Sequence, residues 1–182
     1  ARVLHGWVGH PASYPANLVY AARNRVSPAA YDVLAPLAWL GGTDRRGGTD
    51  LGGDDGLFID SGWHAREMDG DRSFRWATDT AILRVPLART TDVALAITLR
   101  PFEAPGSAPQ QLTILVNERP QAPVTLAPGW QTVSTPVPGA AWRTGINRVT
   151  LRFANQTRPR DIGAADTRWL SAAVDTVTVE IR

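Results

Sequence analysis

From Arg72 to Arg182 the chain alternates apolar and polar residues with a period of two, the pattern of strands that bury one face. Val93, Leu95, Ile97 and Leu99 point one way while Ala94, Ala96, Thr98 and Arg100 point the other; Val149, Leu151 and Phe153 oppose Arg148, Thr150 and Arg152. Leu112, Ile114 and Val116, then Val177, Val179 and Ile181, continue the apolar side. The segments FRWA, AILRVPL, VALAITLR, LTILVN, QTVSTPV, RVTLRF and VDTVTVEI are short and bounded by Gly, Pro, Asn or Asp. Strands with one buried face each predict two packed antiparallel sheets, an all-β sandwich. In FRWA, Phe74 and Trp76 share a face and are expected in the core. Arg75 falls on the opposite face, where a carboxylate such as Asp166 or Asp175 would suit it.

The first 42 residues have a different period. Pro15 opens a stretch with Leu18, Val19 and Ala22 at helical spacing, and Ser27 with Pro28 repeats the start signal before AAYDVLAPLAWL. Two short helices are expected over residues 1–42, with Pro36 bending or ending the second. Residues 43–56, rich in Gly and Asp, read as a linker or loop, and the sandwich is expected over residues 57–182. The span SGWHAREMDGD, Ser61 to Asp71, reads as the polar loop that feeds the first strand.

Composition narrows the function classes. A chain of 182 residues suits one domain, and its formal charge of +2 comes without any basic run, which disfavours nucleic-acid binding. All nineteen basic residues are arginine, a bias that codon usage in a GC-rich genome accounts for. The absence of cysteine excludes disulfides, thiolate metal sites and a cysteine nucleophile. No run approaches the roughly 18 apolar residues of a membrane span. The longest candidate, from Ala29, is broken by Asp32 and Pro36. Ala1 is not an initiating methionine, so the chain reads as a processed product, a domain, or part of something longer.

Two turn motifs add a family likeness. LTILVNERP runs a strand into Asn117, and TGINRVTLRF enters one through Gly145, Ile146 and Asn147. This pair resembles the turns of galactose-binding-like jelly rolls, where Asn and Gly supply turn geometry and do not read a ligand. Glu118 stands where that pattern has glycine, which argues against a tight two-residue hairpin at this turn. Over roughly residues 57 to 182, the order GW, Glu67, FRW, VNE, GIN and RPRDIGAADTRWLSAAVDTVTV resembles exported β-sandwich regions attached to polytopic membrane glycosyltransferases and related envelope proteins. The resemblance implies a jelly-roll sandwich preceded by the helical segment. It also implies a location outside the cytoplasm, periplasmic or membrane-associated, and a glycan or a membrane protein as partner.

Candidate chemistry concentrates in tryptophans and carboxylates. Indole rings stack on sugar rings while Arg, Asp and Glu take the hydroxyls. Trp63 with Glu67, and Asp166 with Arg168 and Trp169, form such a set on paper; tryptophans that cap the ends of a sandwich core are the competing account. Hard oxygen ligands on a flexible loop suit calcium, and Asp50, Asp54, Asp55 and Asp60 offer them. The jelly-roll resemblance adds Glu180, on the last strand, as their acidic partner. Glu67, Asp69 and Asp71 are neighbours in one span, which does not place two carboxyls about 5 to 10 Å apart across a cleft, as glycoside hydrolysis requires. His64 in HARE has no second ligand cluster and reads as solvent-exposed. The leading reading is a non-catalytic carbohydrate-binding accessory module of the envelope. A structural, partner-binding subunit of a membrane-associated assembly and a calcium-assisted glycan-active enzyme are the alternatives.

Overall fold

A computed structural model describes residues 46–53, 55–56, 58–87 and 89–182. The helical arm expected over 1–42 lies outside them. Eleven strands run through the described chain: β1 (Arg46–Asp50), β2 (Trp63–Asp69), β3 (Arg72–Ala77), β4 (Thr80–Leu87), β5 (Val93–Pro101), β6 (Gln111–Val116), β7 (Arg119–Pro120), β8 (Val124–Thr125), β9 (Gln131–Val137), β10 (Gly145–Phe153) and β11 (Ala172–Ile181). One sheet has the order β2-β3-β11-β5-β9, with β1 also paired to β11; the other has the order β4-β10-β6-β7, with β8 also paired to β6. Every pairing is antiparallel. The fold is an all-β two-sheet antiparallel sandwich.

The alternation read from the sequence sets the main core. Val93, Leu95, Ile97 and Leu99 of β5, Leu112, Ile114 and Val116 of β6, Val149, Leu151 and Phe153 of β10, and Val177 and Val179 of β11 form one buried cluster between the sheets. Burying each such side chain contributes about 1.5–3 kcal/mol. Thr150, placed by the alternation on the outer face of β10, is also buried.

Phe74 and Trp76 are buried as expected, but in a second cluster with Leu170 and Ala173, against which Phe102 and Trp130 pack. Ala77, one residue on from Trp76, belongs to the main core. The aromatic pair therefore covers the outer face of the first sheet, where Trp76 and Arg100 both stand opposite Ala173 in register. Phe74 meets Trp76 and Trp130 edge to face at 5.9 and 5.8 Å, and the Arg100 guanidinium lies over Phe74, Trp76 and Trp130. Trp142 is buried in the main core.

The Gly/Asp-rich stretch read as a linker or loop contributes its described part to the sandwich. β1 pairs with β11 from Arg46↔Glu180 to Asp50↔Thr176, and Leu51 is fully buried. β11 takes β3 as neighbour at its start and β1 at its end, with the register shift between Val174 and Thr176 marking the changeover. There the Asp175 carbonyl accepts from the Leu51 amide, and its carboxylate pairs with Arg72 at 3.1 Å. Arg75 finds its carboxylate in this stretch too: the partner is Asp55, not Asp166 or Asp175.

Asn117 and Glu118 both have positive φ, 48° and 68°, between the paired Val116 and Arg119. This is a tight two-residue hairpin of the mirror-image type, with glutamate tolerated at its second position. The two motif asparagines meet: Asn117 Nδ2 donates to Asn147 Oδ1 at 2.7 Å.

Candidate functional site

The Thr157–Leu170 segment is a compact loop whose ends are joined by reciprocal backbone hydrogen bonds of 2.9 Å. Inside it, Pro159–Ile162 makes one 3-10 turn, stopped by Gly163 in the left-handed region, and the Arg160 amide donates to the Asp166 carbonyl. This folding returns Asp166, Arg168 and Trp169 to the edge of the sheet, beside β2. The Arg168 side chain is held by Asp166, with Nη2 at 2.6 Å from Oδ2 and Nε at 3.1 Å from Oδ1, and its Nη1 donates to Glu67 Oε1 at 2.6 Å. Glu67 and Arg168 are 101 positions apart in the chain. Trp169 is 42% exposed, and the Arg158 guanidinium carbon stands 4.7 Å from its ring centroid.

His64, read from sequence as solvent-exposed, is half-buried and donates from Nε2 to the Trp169 carbonyl at 2.8 Å. It fastens the loop to β2 on the other side of Glu67. Four of the five residues expected to bind a glycan are thus brought together: Glu67, Asp166, Arg168 and Trp169. The fifth, Trp63, begins the same strand but turns inward: it packs on the main core, and its indole N–H donates to the Ile82 carbonyl of β4 at 2.8 Å. Gly62 makes that entry possible. Its φ is +88°, and a Cβ there would lie 2.0 Å from the Thr80 carbonyl oxygen.

Hydrogen bonds from the Arg168 side chain, then from its amide, hold the Asp166 carboxyl down at about 2. The same ion pairs push the Arg168 guanidinium up, first through Asp166 and then through Glu67. A carboxyl lowered on folding contributes stability above its unfolded value near 3.8, and loses it as pH falls through the folded value. Asp166→Asn is therefore expected to melt below the parent at pH 7, with the gap closing between about pH 4 and pH 2. Thermal melts at stepped pH measure this, and a gap that stays constant down to pH 2 rejects it.

The calcium candidates do not converge. Asp54 lies outside the described residues. Asp55 is 2% exposed and engaged by the Arg75 guanidinium and the Gly52 amide, and Asp50 accepts from Ser73 Oγ at 2.6 Å. Glu180 stands at the far end of the β1–β11 pairing, four positions and about 13 Å from Asp50. Calcium ligands sit about 2.3–2.6 Å from the ion, so Asp50 and Glu180 cannot share one. Among the described residues no group of three or more His, Cys, Asp or Glu side chains is gathered for a metal. A separate cleft of about 250 Å³ lies between Pro101–Gln110 and Leu126–Pro128, lined by none of the candidate residues. No helix among the described residues is long and apolar enough to cross a membrane.

No protein-family model and no curated protein matches the chain. Solved structures do. A family 35 carbohydrate-binding module from Clostridium thermocellum is similar over 73% of this chain and 97% of its own, at 11% identity and a TM-score of 0.49. The C-terminal CBM6 of LamC, a marine laminarinase from Zobellia galactanivorans, is similar over 74% and 98%, at 7% identity and a TM-score of 0.47. A family 35 carbohydrate-binding module from an environmental isolate is similar over 67% and 90%, at 16% identity and a TM-score of 0.43.

Proposed function

We propose that this chain is a non-catalytic carbohydrate-binding module, acting outside the cytoplasm as an accessory part of an envelope protein. The observation that carries the reading is the exposed Trp169, next in the chain to Arg168, whose guanidinium is fixed by Asp166 and Glu67. An indole open to solvent offers a flat apolar face to the C–H side of a pyranose, and fixed carboxylate oxygens and guanidinium N–H groups meet its hydroxyls. Two backbone-anchored features hold the constellation before any ligand arrives: the bridged ends of the loop and the His64 contact to the Trp169 carbonyl. Preorganisation of this kind reduces the ordering cost of binding.

The carboxylates argue for binding rather than hydrolysis. A glycosidase needs one carboxyl with a raised pKa to protonate the leaving oxygen. Asp166 is instead held at about 2, and Glu67 is paired to the same guanidinium. Asp166 is not arranged to deliver a proton at neutral pH.

Titration with a panel of envelope polysaccharide fragments, followed by tryptophan fluorescence and calorimetry, tests the reading. Trp169→Ala is expected to weaken the best ligand about tenfold, the order of one lost aromatic contact, with a modest fall in melting temperature from the lost Arg158 stack. Full affinity in that variant, or no binding by any fragment, rejects it.

A further inference from the structure

Six arginines among the described residues are half-buried: Arg72, Arg75, Arg84, Arg100, Arg158 and Arg168. Five hold a carboxylate: Arg72 has Asp175, Arg75 has Asp55, Arg84 has Asp60, Arg100 has Asp69, and Arg168 has Asp166 and Glu67. Arg158 is the exception. Its guanidinium lies on the Trp169 ring, and its Nε, like that of Arg100, is buried without a hydrogen-bond partner. Stacking uses the face of the guanidinium, and among the described residues no side chain pairs with its Nη groups. A buried donor without an acceptor, here Nε, is costly.

The nearby acids do not answer it. Glu67 and Asp166 are both engaged by Arg168, and Asp161, on the 3-10 turn that Arg158 precedes, is exposed and makes no ion pair with it. We infer that Arg158 is the anion-reading residue of the Trp169 site, and that the ligand is an acidic glycan whose carboxylate or other oxyanion completes the fork of Arg158. This deepens the carbohydrate-binding reading and rests on it. The planar fork accepts two oxygens in parallel, which fits a uronate carboxylate and equally a sugar sulfate or phosphate. Trp169 then serves two partners: it positions the guanidinium with one part of its π-system and offers the exposed remainder to the ring of the same sugar.

Calorimetric titration of the whole chain with a uronate oligosaccharide, the neutral oligosaccharide of the same linkage, a sulfated and a phosphorylated form of that neutral sugar, and inorganic sulfate separates the cases. At least one acidic sugar is expected to bind about ten to a hundred times more tightly than the neutral one, the effect of one charge-assisted pair. Arg158→Gln should abolish that preference, and Arg158→Lys, which keeps the charge but not the fork, should restore only part of it. Equal binding of acidic and neutral sugars by the parent, or a preference that survives in Arg158→Gln, overturns the anion site and leaves the carbohydrate reading standing. Arg158-dependent binding of inorganic sulfate without any sugar supports the anion site and overturns the carbohydrate reading. No binding in any arm overturns both. Should Arg158→Gln melt far below the parent, the Arg158→Lys comparison decides on its own: undiminished acidic preference there rejects bidentate recognition.

Discussion

Asp55→Ala is expected to destabilise the sandwich by about 3–5 kcal/mol, the usual consequence of leaving one member of a buried ion pair without the other. Asp55 is 2% exposed and meets Arg75 through both oxygens, Oδ2 to Nε at 2.5 Å and Oδ1 to Nη2 at 3.0 Å. The same carboxylate accepts the Gly52 amide at 2.6 Å, and Arg75 also donates to the His64 carbonyl. One pair therefore ties the segment after β1 to β3 and, through His64, to the strand that carries Glu67. Arg75→Met should cost a similar amount, since it leaves the Asp55 charge buried. The double variant Asp55→Ala/Arg75→Met should lose less than the sum of the two single losses, because removing both groups leaves no unpaired buried charge. Urea unfolding of the four proteins measures the coupling. Strictly additive losses would show that the pair acts as two unrelated contacts. The Asp55→Ala protein should also be cut by protease in residues 46–56 at lower urea than the parent.

The contrast between that segment and β5 shows what the sequence made legible. β5 and β9 bury every second residue, so VALAITLR and QTVSTPV announce themselves, while β4, β6, β10 and β11 bury further positions as well and are legible as short apolar runs. β1, RGGTD, has no apolar side chain at all; its strand character comes from pairing with β11, a tertiary fact that no local pattern encodes. β2 is an edge strand with little buried surface, so WHAREMD reads as a loop although it forms a hairpin with β3. Phe74 and Trp76 were legible as buried, but the outer cluster that buries them depends on Trp130 and Phe102 arriving from other parts of the chain.

The site divides along similar lines. Residue type pointed to Trp169, Arg168, Asp166 and Glu67, because aromatic rings beside paired charges are chemically suggestive wherever they occur. Trp63 belonged to the same suggestion, and only the inward Ile82 contact separates it from them. Arg158 was hidden among nineteen arginines, and its one local signal, the sequence RPRD at the start of a turn, describes backbone geometry. His64 was similarly hidden: its hydrogen bond to the Trp169 carbonyl spans 105 positions.

Asn147→Ala is expected to cost about 2–4 kcal/mol, well beyond the value of one hydrogen bond. Asn147 is fully buried, and its side chain answers four polar groups. Oδ1 accepts from the Arg143 amide at 2.8 Å and from Asn117 Nδ2 at 2.7 Å, while Nδ2 donates to the carbonyls of Arg143 at 2.8 Å and Gly145 at 3.1 Å. Alanine leaves those groups without their side-chain partner in a fully buried site. Asn117 transmits the effect to the hairpin, because its Oδ1 accepts the Arg148 amide and its Nδ2 also donates to the Ala141 carbonyl. Asn117→Gly keeps the left-handed backbone that the turn needs and removes only the side-chain bonds, so it isolates the polar part of the contribution. Asn147→Asp is the sharper test. It is nearly isosteric, yet its ionised form puts acceptors against the Arg143 and Gly145 carbonyls and buries a charge, so its folded pKa must rise. A raised carboxyl favours the fold below its unfolded value and loses that advantage as pH climbs through the folded one. Asn147→Asp should therefore lie at or below Asn147→Ala in stability at pH 7 and gain on it as the pH falls towards 4. Urea titrations at the two pH values decide the matter, and a pH-independent difference between the two variants would mean that the site admits water and that the amide network is not what closes this end of the sandwich.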